Sequence, residues 1–330
     1  MRIGLCVRGF TQIRQLLDEL LPDDEIIECS RQDIHERAAD CAVLVPIVTP
    51  IPAAVLRYPS LKLIQQYGVG LDVVDIPAAT QAGVLVANVP SVGTGNAESV
   101  AELAVAHMLM LSRNIPLATQ RFREQRFSSP LGECLWRSTV VIVGYGGIGE
   151  EIARRLAGFG VRIIAISRHG PGGSRSRDPA VRVDLHVAQS EMLSVLGQAD
   201  YVVVAAPASP DNLGLIDASA LAQLRPGTFI VNIARGPVID YAALLAALRE
   251  GRLAGAGLDV FWQEPFDPND PLLAENVIAT PHIGGATARS LRGIGEAVAL
   301  SIDALRNHQL PPCCVNPEAQ QVRRHNALAP

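Results

Sequence analysis

The sequence predicts an α/β protein of two domains built on doubly wound parallel sheets, and three observations carry that expectation. Apolar strand-like runs alternate with helix-like segments almost throughout, the pattern of parallel sheets covered by helices on both faces. A chain of 330 residues that is 48% hydrophobic exceeds what one core usually serves. A glycine cluster, Gly144-Tyr145-Gly146-Gly147-Ile148-Gly149, stands between an apolar run at 139–143 and a helical stretch at 150–158.

The first expected strand is 1–7, followed by a helix at 11–21 and strands at 42–48, 61–65 and 84–87, punctuated by Gly or Pro turns. A long helix is expected over 97–111, because Glu98 and Glu102 lie in its first turns and Arg113 past its end, matching the helix dipole. The segment 114–135, arginine-rich and broken by proline, is expected to be a connecting arm. Later strands are expected at 139–143, 161–166, 201–205, 228–232, 255–260 and 277–279. A final helix at 288–306 is long enough to return to the first domain, and residues 320–330 are expected to fray.

Composition excludes several function classes. A formal charge of −5 and a pI near 5.8 give no global attraction to nucleic acid or to an anionic membrane. Lys62 is the only lysine, so positive charge is almost all arginine. Arginines break the apolar start too often for a signal peptide, and the richest apolar stretch, 103–111 with His107 inside it, is far too short to span a membrane. Cytoplasmic residence is the expectation. The six cysteines show no C-x-x-C and no zinc-like spacing with histidine, so incidental thiols and no metal are expected; the vicinal Cys313-Cys314 pair is the one candidate for redox activity.

The glycine cluster reads G-x-G-x-x-G at a strand-to-helix corner, the spacing that turns a backbone tightly and brings its amides against a pyrophosphate. The next strand ends in Ser167-Arg168, where an NAD-binding unit would normally place an acid. A small hydroxyl followed by a guanidinium accepts a 2′-phosphate that a carboxylate would repel. NADP(H) is therefore the expected cofactor, with NAD(H) the other candidate. Arg175 and Arg177 on the following Gly/Ser-rich loop add to the same charge, or are simply solvated.

Three later residues carry candidate chemistry. Arg235, Glu264 and His282 each follow an expected strand, where open α/β sheets bind ligands. Taken singly, each has a bland reading as a loop arginine, a solvated carboxylate or a structural histidine. Together they would converge on one sheet edge. Reduction of a carbonyl needs a proton donor for the oxygen, and histidine, with a baseline pKa of about 6.5, suits neutral pH. A carboxylate beside it favours the imidazolium, and arginine supplies a planar fork for a substrate carboxylate. The trio fits a 2-keto acid.

The ordered motifs Gly68-Val69-Gly70-Leu71-Asp72, Ser99-Val100-Ala101-Glu102-Leu103, the glycine corner, Arg225-Pro226-Gly227, Asn232-Ile233-Ala234-Arg235-Gly236, Leu258-Asp259-Val260-Phe261 with Glu264-Pro265, and Thr280-Pro281-His282-Ile283-Gly284-Gly285 span nearly the whole chain. On them the sequence resembles the D-specific 2-hydroxyacid dehydrogenase family. The resemblance implies a Rossmann-type cofactor domain at 100–288 and a flavodoxin-like substrate domain at 1–99 and 289–330, with the active site in the cleft between them. It implies His282 as acid/base, Glu264 as its partner, Arg235 as substrate clamp, and the Val69 and Gly70 amides as further carboxylate ligands. Asp259 and Ile233 would contact the nicotinamide end and Pro207 would line the adenine or ribose side. Gly144, Gly146, Gly147, Ile148, Gly149 and Gly284, with Ser167 and Arg168, would complete the cofactor contacts. A homodimer through the 114–135 arm is likewise implied.

Departures from the family pattern narrow the expectation. The usual acid is missing at Ser167. Glu264 stands where the related formate dehydrogenases pair a glutamine with the histidine, which disfavours formate. Phe127 occupies a position where many members carry tryptophan. The first domain offers chiefly Arg8, Arg57 and Lys62 for a phosphorylated substrate, which makes phosphoglycerate a poor fit. The expected function is NADPH-dependent reduction of glyoxylate or hydroxypyruvate to the D-2-hydroxy acid. The alternatives are an NAD-linked D-lactate or D-phosphoglycerate type dehydrogenase, and a nucleotide-sensing binding protein like the C-terminal binding protein corepressors.

Overall fold

The computed structural model describes residues 1–172 and 178–328. In chain order the elements are β1 (Arg2–Cys6), α1 (Thr11–Leu20), β2 (Glu25–Glu28), α2 (Ile34–Arg37), β3 (Val43–Pro46), β4 (Leu63–Gln65), α3 (Ile76–Gln81), β5 (Leu85–Ala87), α4 (Asn96–Ser112), α5 (Ile115–Arg123) and β6 (Thr139–Val143). They continue with α6 (Gly147–Leu156), β7 (Arg162–Ser167), β8 (Leu185–Ala188), α7 (Met192–Leu196), β9 (Tyr201–Val204), α8 (Ala218–Ala222), β10 (Thr228–Asn232), α9 (Tyr241–Arg249), β11 (Leu253–Leu258), β12 (Val277–Ala279), α10 (Ala288–Arg306) and α11 (Ala319–Leu328). The chain separates into two compact units, one of Met1–Asn96 with the chain from Ala288 onward, the other Ala97–Thr287.

The first unit is built on five parallel strands in the order β2-β1-β3-β4-β5. Side chains alternate across this sheet: Ile3, Leu5, Val43, Val45 and Leu63 enter one core layer, and Cys6, Leu44, Ile64 and Val86 the other. Burial on both faces explains why these strands read as continuous apolar runs. Helix α10 turns Ile294, Val298 and Ile302 into the core at helical spacing. Gly295 lets it sit against α1, because a Cβ there would lie 2.7 Å from the Leu16 side chain.

The second unit holds seven parallel strands in the order β12-β11-β10-β9-β6-β7-β8. Val141, Val143, Ile164, Ile166, Val202, Val204 and Ile230 fill one layer, and Val140, Ile142, Ile163, Val203 and Val231 the other. The winding runs outward from β6 in both directions, so the carboxyl ends of β6 and β9 form the switch point at which such sheets bind ligands. Among the described residues no helix is long and apolar enough to cross a membrane.

The ten expected strands fall within two residues of observed ones, whereas β2 and β8 were not expected. Three further segments differ from the expectation. Helix α6 starts at Gly147 rather than at 150, because glycines of low helix propensity form its first turn. The 114–135 segment is not broken throughout: Pro116 sits in the first turn of α5, where a missing amide costs nothing, and the Asn114 side chain caps the Leu117 amide. The tail expected to fray instead forms α11. In its described part Ala319 is buried in the core, and the Arg323 guanidinium donates to the carbonyls of Leu61 and Pro59. Just before it, Asn316 accepts from the Val86 amide and donates to Val84 and Thr80.

Candidate active site

At the switch point Gly144 turns the chain at φ 99°. A Cβ on Gly144 would lie 2.3 Å from the Ala206 amide nitrogen beyond β9, and one on Gly149 would lie 2.3 Å from the Gly144 carbonyl oxygen. Neither position admits a side chain. A Cβ on Gly146 would meet nothing within 4 Å, so the backbone there faces open space. Helix α6 begins at Gly147 with no side-chain cap among the described residues, and Ile148 packs its side chain on the core. A tight turn, an open backbone and a helix start together fit a dinucleotide pyrophosphate, which Gly144, Gly146, Gly147, Ile148 and Gly149 would hold.

Beyond the corner, Ser167 ends β7. Its Oγ donates to the Gly170 carbonyl at 3.2 Å and lies 2.8 Å from His186 Nε2 on β8. His186 was not anticipated from sequence; the only available signal was a histidine in the short strand next to β7. Arg168 is exposed and lines a cavity of about 500 Å³ with Gln189, Ser190, Leu193, Asn212 and Asp217. Asn212 ties this wall to Pro207, donating to its carbonyl at 2.8 Å while accepting from Gln189 at 3.2 Å. Arg175 and Arg177 lie outside the described residues.

The three candidate chemical groups stand past β10, β11 and β12, which are neighbours in the sheet. Arg235 is carried on a turn locked by the fully buried Asn232, whose amide donates to the Arg235 carbonyl at 2.9 Å and whose oxygen accepts from Ala234 at 3.0 Å. Gly236 then lets this turn meet the next one backbone to backbone, since a Cβ there would lie 2.2 Å from the Phe261 carbonyl carbon. On that second turn Glu264 accepts from the Phe261 amide at 3.1 Å through Oε1, and Oε2 lies 2.8 Å from His282 Nδ1.

Burial pushes the Glu264 carboxyl up, but the hydrogen bond and charge of His282, the Phe261 amide and the Arg235 charge outweigh it and hold it below the usual value. Glu264 is therefore ionised at neutral pH and only accepts, so Nδ1 of His282 carries a proton and Nε2 is the nitrogen left for proton exchange.

His282 itself adopts φ 55°, a left-handed conformation that non-glycine residues rarely hold without external restraint. Asp259 supplies the restraint. It is 1% exposed, and its Oδ1 accepts from the Ile283 amide at 2.9 Å and the Thr280 hydroxyl at 2.6 Å, while Oδ2 accepts from the Gly284 amide at 2.8 Å. Gly284 is needed for that approach, because its Cβ would sit 2.9 Å from Oδ2. Ile233 is buried against the sheet. In the first unit, the Val69 and Gly70 amides follow β4 and donate to no other described residue. Among the described residues, no group of three or more His, Cys, Asp or Glu side chains is placed to hold a metal ion.

A glycine-turned corner at the switch point of a parallel sheet, with a carboxylate-paired histidine at neighbouring strand ends, defines the class of nucleotide-dependent oxidoreductases. The family described as D-isomer specific 2-hydroxyacid dehydrogenase, NAD binding domain, matches residues 105–284. The glyoxylate reductase of Thermococcus onnurineus (strain NA1) is 35% identical over 327 residues, covering 96% of this chain and 95% of that protein. The D-3-phosphoglycerate dehydrogenase of Mycobacterium tuberculosis (strain ATCC 25618 / H37Rv) is 39% identical over 278 residues, covering 83% of this chain and 51% of that protein. Among solved structures, the NADPH-dependent glyoxylate/hydroxypyruvate reductase of Sinorhizobium meliloti, in complex with NADP and malonate, is 28% identical with a TM-score of 0.81 over 97% of each chain. The chain belongs to the D-isomer-specific 2-hydroxyacid dehydrogenase family, with the Rossmann-type parallel sheet of its members.

Proposed function

We propose that this enzyme reduces small 2-keto acids, glyoxylate or hydroxypyruvate, with NADPH, and forms the D-2-hydroxy acid where a stereocentre arises. The observation that carries the chemical reading is the 2.8 Å pair of His282 Nδ1 and Glu264 Oε2, at the strand ends next to Arg235. When bound, the dihydronicotinamide supplies the hydride for the keto carbon. His282 gives the Nε2 proton to the carbonyl oxygen, and its Nδ1–H bond to Glu264 steadies the ring before and after that transfer. Arg235 receives the substrate carboxylate as a planar two-pronged donor and polarises the adjacent carbonyl. By family resemblance, the Val69 and Gly70 amides take the same carboxylate, Ile233, Asp259 and Gly284 serve the nicotinamide end, and Pro207 serves the adenine or ribose end.

Support for NADPH comes from Ser167 and Arg168, a hydroxyl and an exposed guanidinium where NAD-using relatives place an acid. The NADP complex of the Sinorhizobium meliloti reductase is in keeping with it. We assign the arm around α5 to a homodimer contact, because Phe122, Phe127 and Leu131 are 83%, 97% and 97% exposed there, an apolar surface that favours a partner. Cytoplasmic residence is part of the same reading and accords with six free thiols, three of them buried.

The 39% identity to a D-3-phosphoglycerate dehydrogenase favours a second reading, an NAD-linked enzyme acting on a phosphorylated acid. Against it, Arg8 of the first unit already pairs with Asp33, leaving chiefly Arg57 and Lys62 among the candidate phosphate ligands. Steady-state kcat/KM for glyoxylate, hydroxypyruvate, pyruvate and 3-phosphohydroxypyruvate, each with NADPH and NADH, separates the readings. The highest value is expected for glyoxylate or hydroxypyruvate with NADPH. Preference for 3-phosphohydroxypyruvate with NADH establishes the second reading instead, and inactivity across the panel points to a nucleotide sensor.

A further inference from the structure

Beneath the loop that carries His282 lies a polar chain that proton transfer does not use directly. His107 is fully buried in α4, a helix whose other buried residues are mostly apolar. Its Nε2 lies 3.1 Å from Thr280 Oγ1, and Thr280 Oγ1 lies 2.6 Å from Asp259 Oδ1. Counting protons gives the chain a direction. The Thr280 hydroxyl gives its single proton to Asp259 Oδ1, so the Thr280 oxygen accepts from His107 Nε2–H.

That tautomer leaves Nδ1 of His107 as an acceptor, and among the described residues it has no hydrogen-bond partner. A buried unpaired acceptor is destabilising where a leucine would suit the apolar surroundings, so its retention asks for a reason beyond packing. The neighbouring strand makes room for the ring: a Cβ on Gly257 would lie 2.9 Å from His107 Nδ1 and Cβ, so only glycine leaves the space the imidazole occupies.

The far end of the chain is His282. Asp259 accepts from the amides of Ile283 and Gly284, directly after His282, and from Thr280, two residues before it. The His282 amide closes the turn by donating to the Thr280 carbonyl at 2.9 Å. Both sides of a residue held at φ 55° are therefore tied to one carboxylate, whose orientation is fixed in turn by Thr280.

We propose that His107 is a positioning residue: through Thr280 and Asp259 it holds the His282 turn in the conformation in which Nδ1 meets Glu264. The inference rests on the reading of His282 as the acid/base. His107→Leu removes the donor and keeps an apolar filler; His107→Gln restores a donor near the position of Nε2; Thr280→Val keeps shape and removes the hydroxyl. His107→Leu and Thr280→Val are each expected to lower kcat about tenfold with glyoxylate and NADPH, the scale set by small misplacements of a reacting group, while the nucleotide KM stays within about twofold. His107→Gln is expected to return kcat to within about threefold of wild type, and the double variant to lose no more than either single one, because both cut the same chain.

In the nucleotide-free protein, the His282 ring resonances are expected to move in His107→Leu and to return in His107→Gln. Wild-type kcat with unmoved His282 resonances in His107→Leu overturns the proposal, as does a glutamine variant no better than leucine. If His107→Leu does not fold, Thr280→Val alone decides by the same kcat and resonance criteria. His282→Ala is the separate control: turnover that survives it removes the acid/base reading itself, whatever the His107 variants do.

Discussion

The glycine corner and the turns carrying Glu264 and His282 stand at strand ends of one seven-stranded sheet and are built by opposite means. At the corner, Gly144 and Gly149 press backbone on backbone, and what matters is the absence of side chains. At the turns after β11 and β12, the shape depends on polar side chains: Asp259 pinning the amides after His282, and Glu264 accepting from the imidazole. The first region is set by steric exclusion, the second by a short series of hydrogen bonds. Damage to the first is expected to appear as lost folding or nucleotide binding, and damage to the second as lost rate in a folded protein.

The largest effect lies at the acid–base turn. His282→Ala is expected to lower kcat by about 10³, within the range for loss of a general acid, with nucleotide Kd by fluorescence titration little changed. A loss below tenfold would place the proton donor elsewhere. Next comes the corner. Gly144→Ala drives a methyl into the Ala206 backbone and is expected to destabilise by about 3 kcal/mol or more in urea unfolding, whereas Gly146→Ala, facing open space, is expected to stay within about 1 kcal/mol. Equal losses in the two variants would contradict the steric account of the corner.

A smaller shift is expected at Ser167, where the proposal puts the adenosine ribose. Ser167→Asp puts a carboxylate where a 2′-phosphate would sit and is expected to lower the NADPH-to-NADH ratio of kcat/KM at least about tenfold, equivalent to about 1.4 kcal/mol. An unchanged ratio would mean that another group reads the phosphate.

The smallest effect is a pH dependence of stability. Burial pushes His107 below its ordinary value against the opposing charge of Asp259. Between that lowered value and the unfolded value of about 6.5, the unfolded chain binds the extra proton, so this contribution to stability is present above about 6.5 and is lost as pH falls. Between pH 7.5 and 5.5, the wild-type Tm is expected to drop further than that of His107→Leu in scanning calorimetry. Equal drops would show that His107 does not titrate on unfolding.

The contrast between the regions also marks what was legible in the sequence. Strands buried on both faces print themselves as apolar runs, and a corner that excludes side chains prints itself as glycines at fixed spacing. Arg235, Glu264 and His282 could be named as candidates from sequence because each stands shortly past the end of such a strand. Structure held by individual polar bonds was not. In helix α11, Arg323 reaches the Leu61 and Pro59 carbonyls, 262 and 264 positions away in sequence. His186 beside Ser167, and His107 beneath Thr280, join residues 19 and 173 positions apart, a pairing that no local pattern encodes.

The NADPH-to-NADH ratio of kcat/KM for glyoxylate reduction by the wild-type protein tests the central claim most directly, since it asks of one assay both whether the trio reduces a small keto acid and what the corner holds. NADPH ahead by about tenfold or more is the expected result, on the scale of one charge-assisted hydrogen bond to the 2′-phosphate. NADH equal to or ahead of NADPH would contradict it.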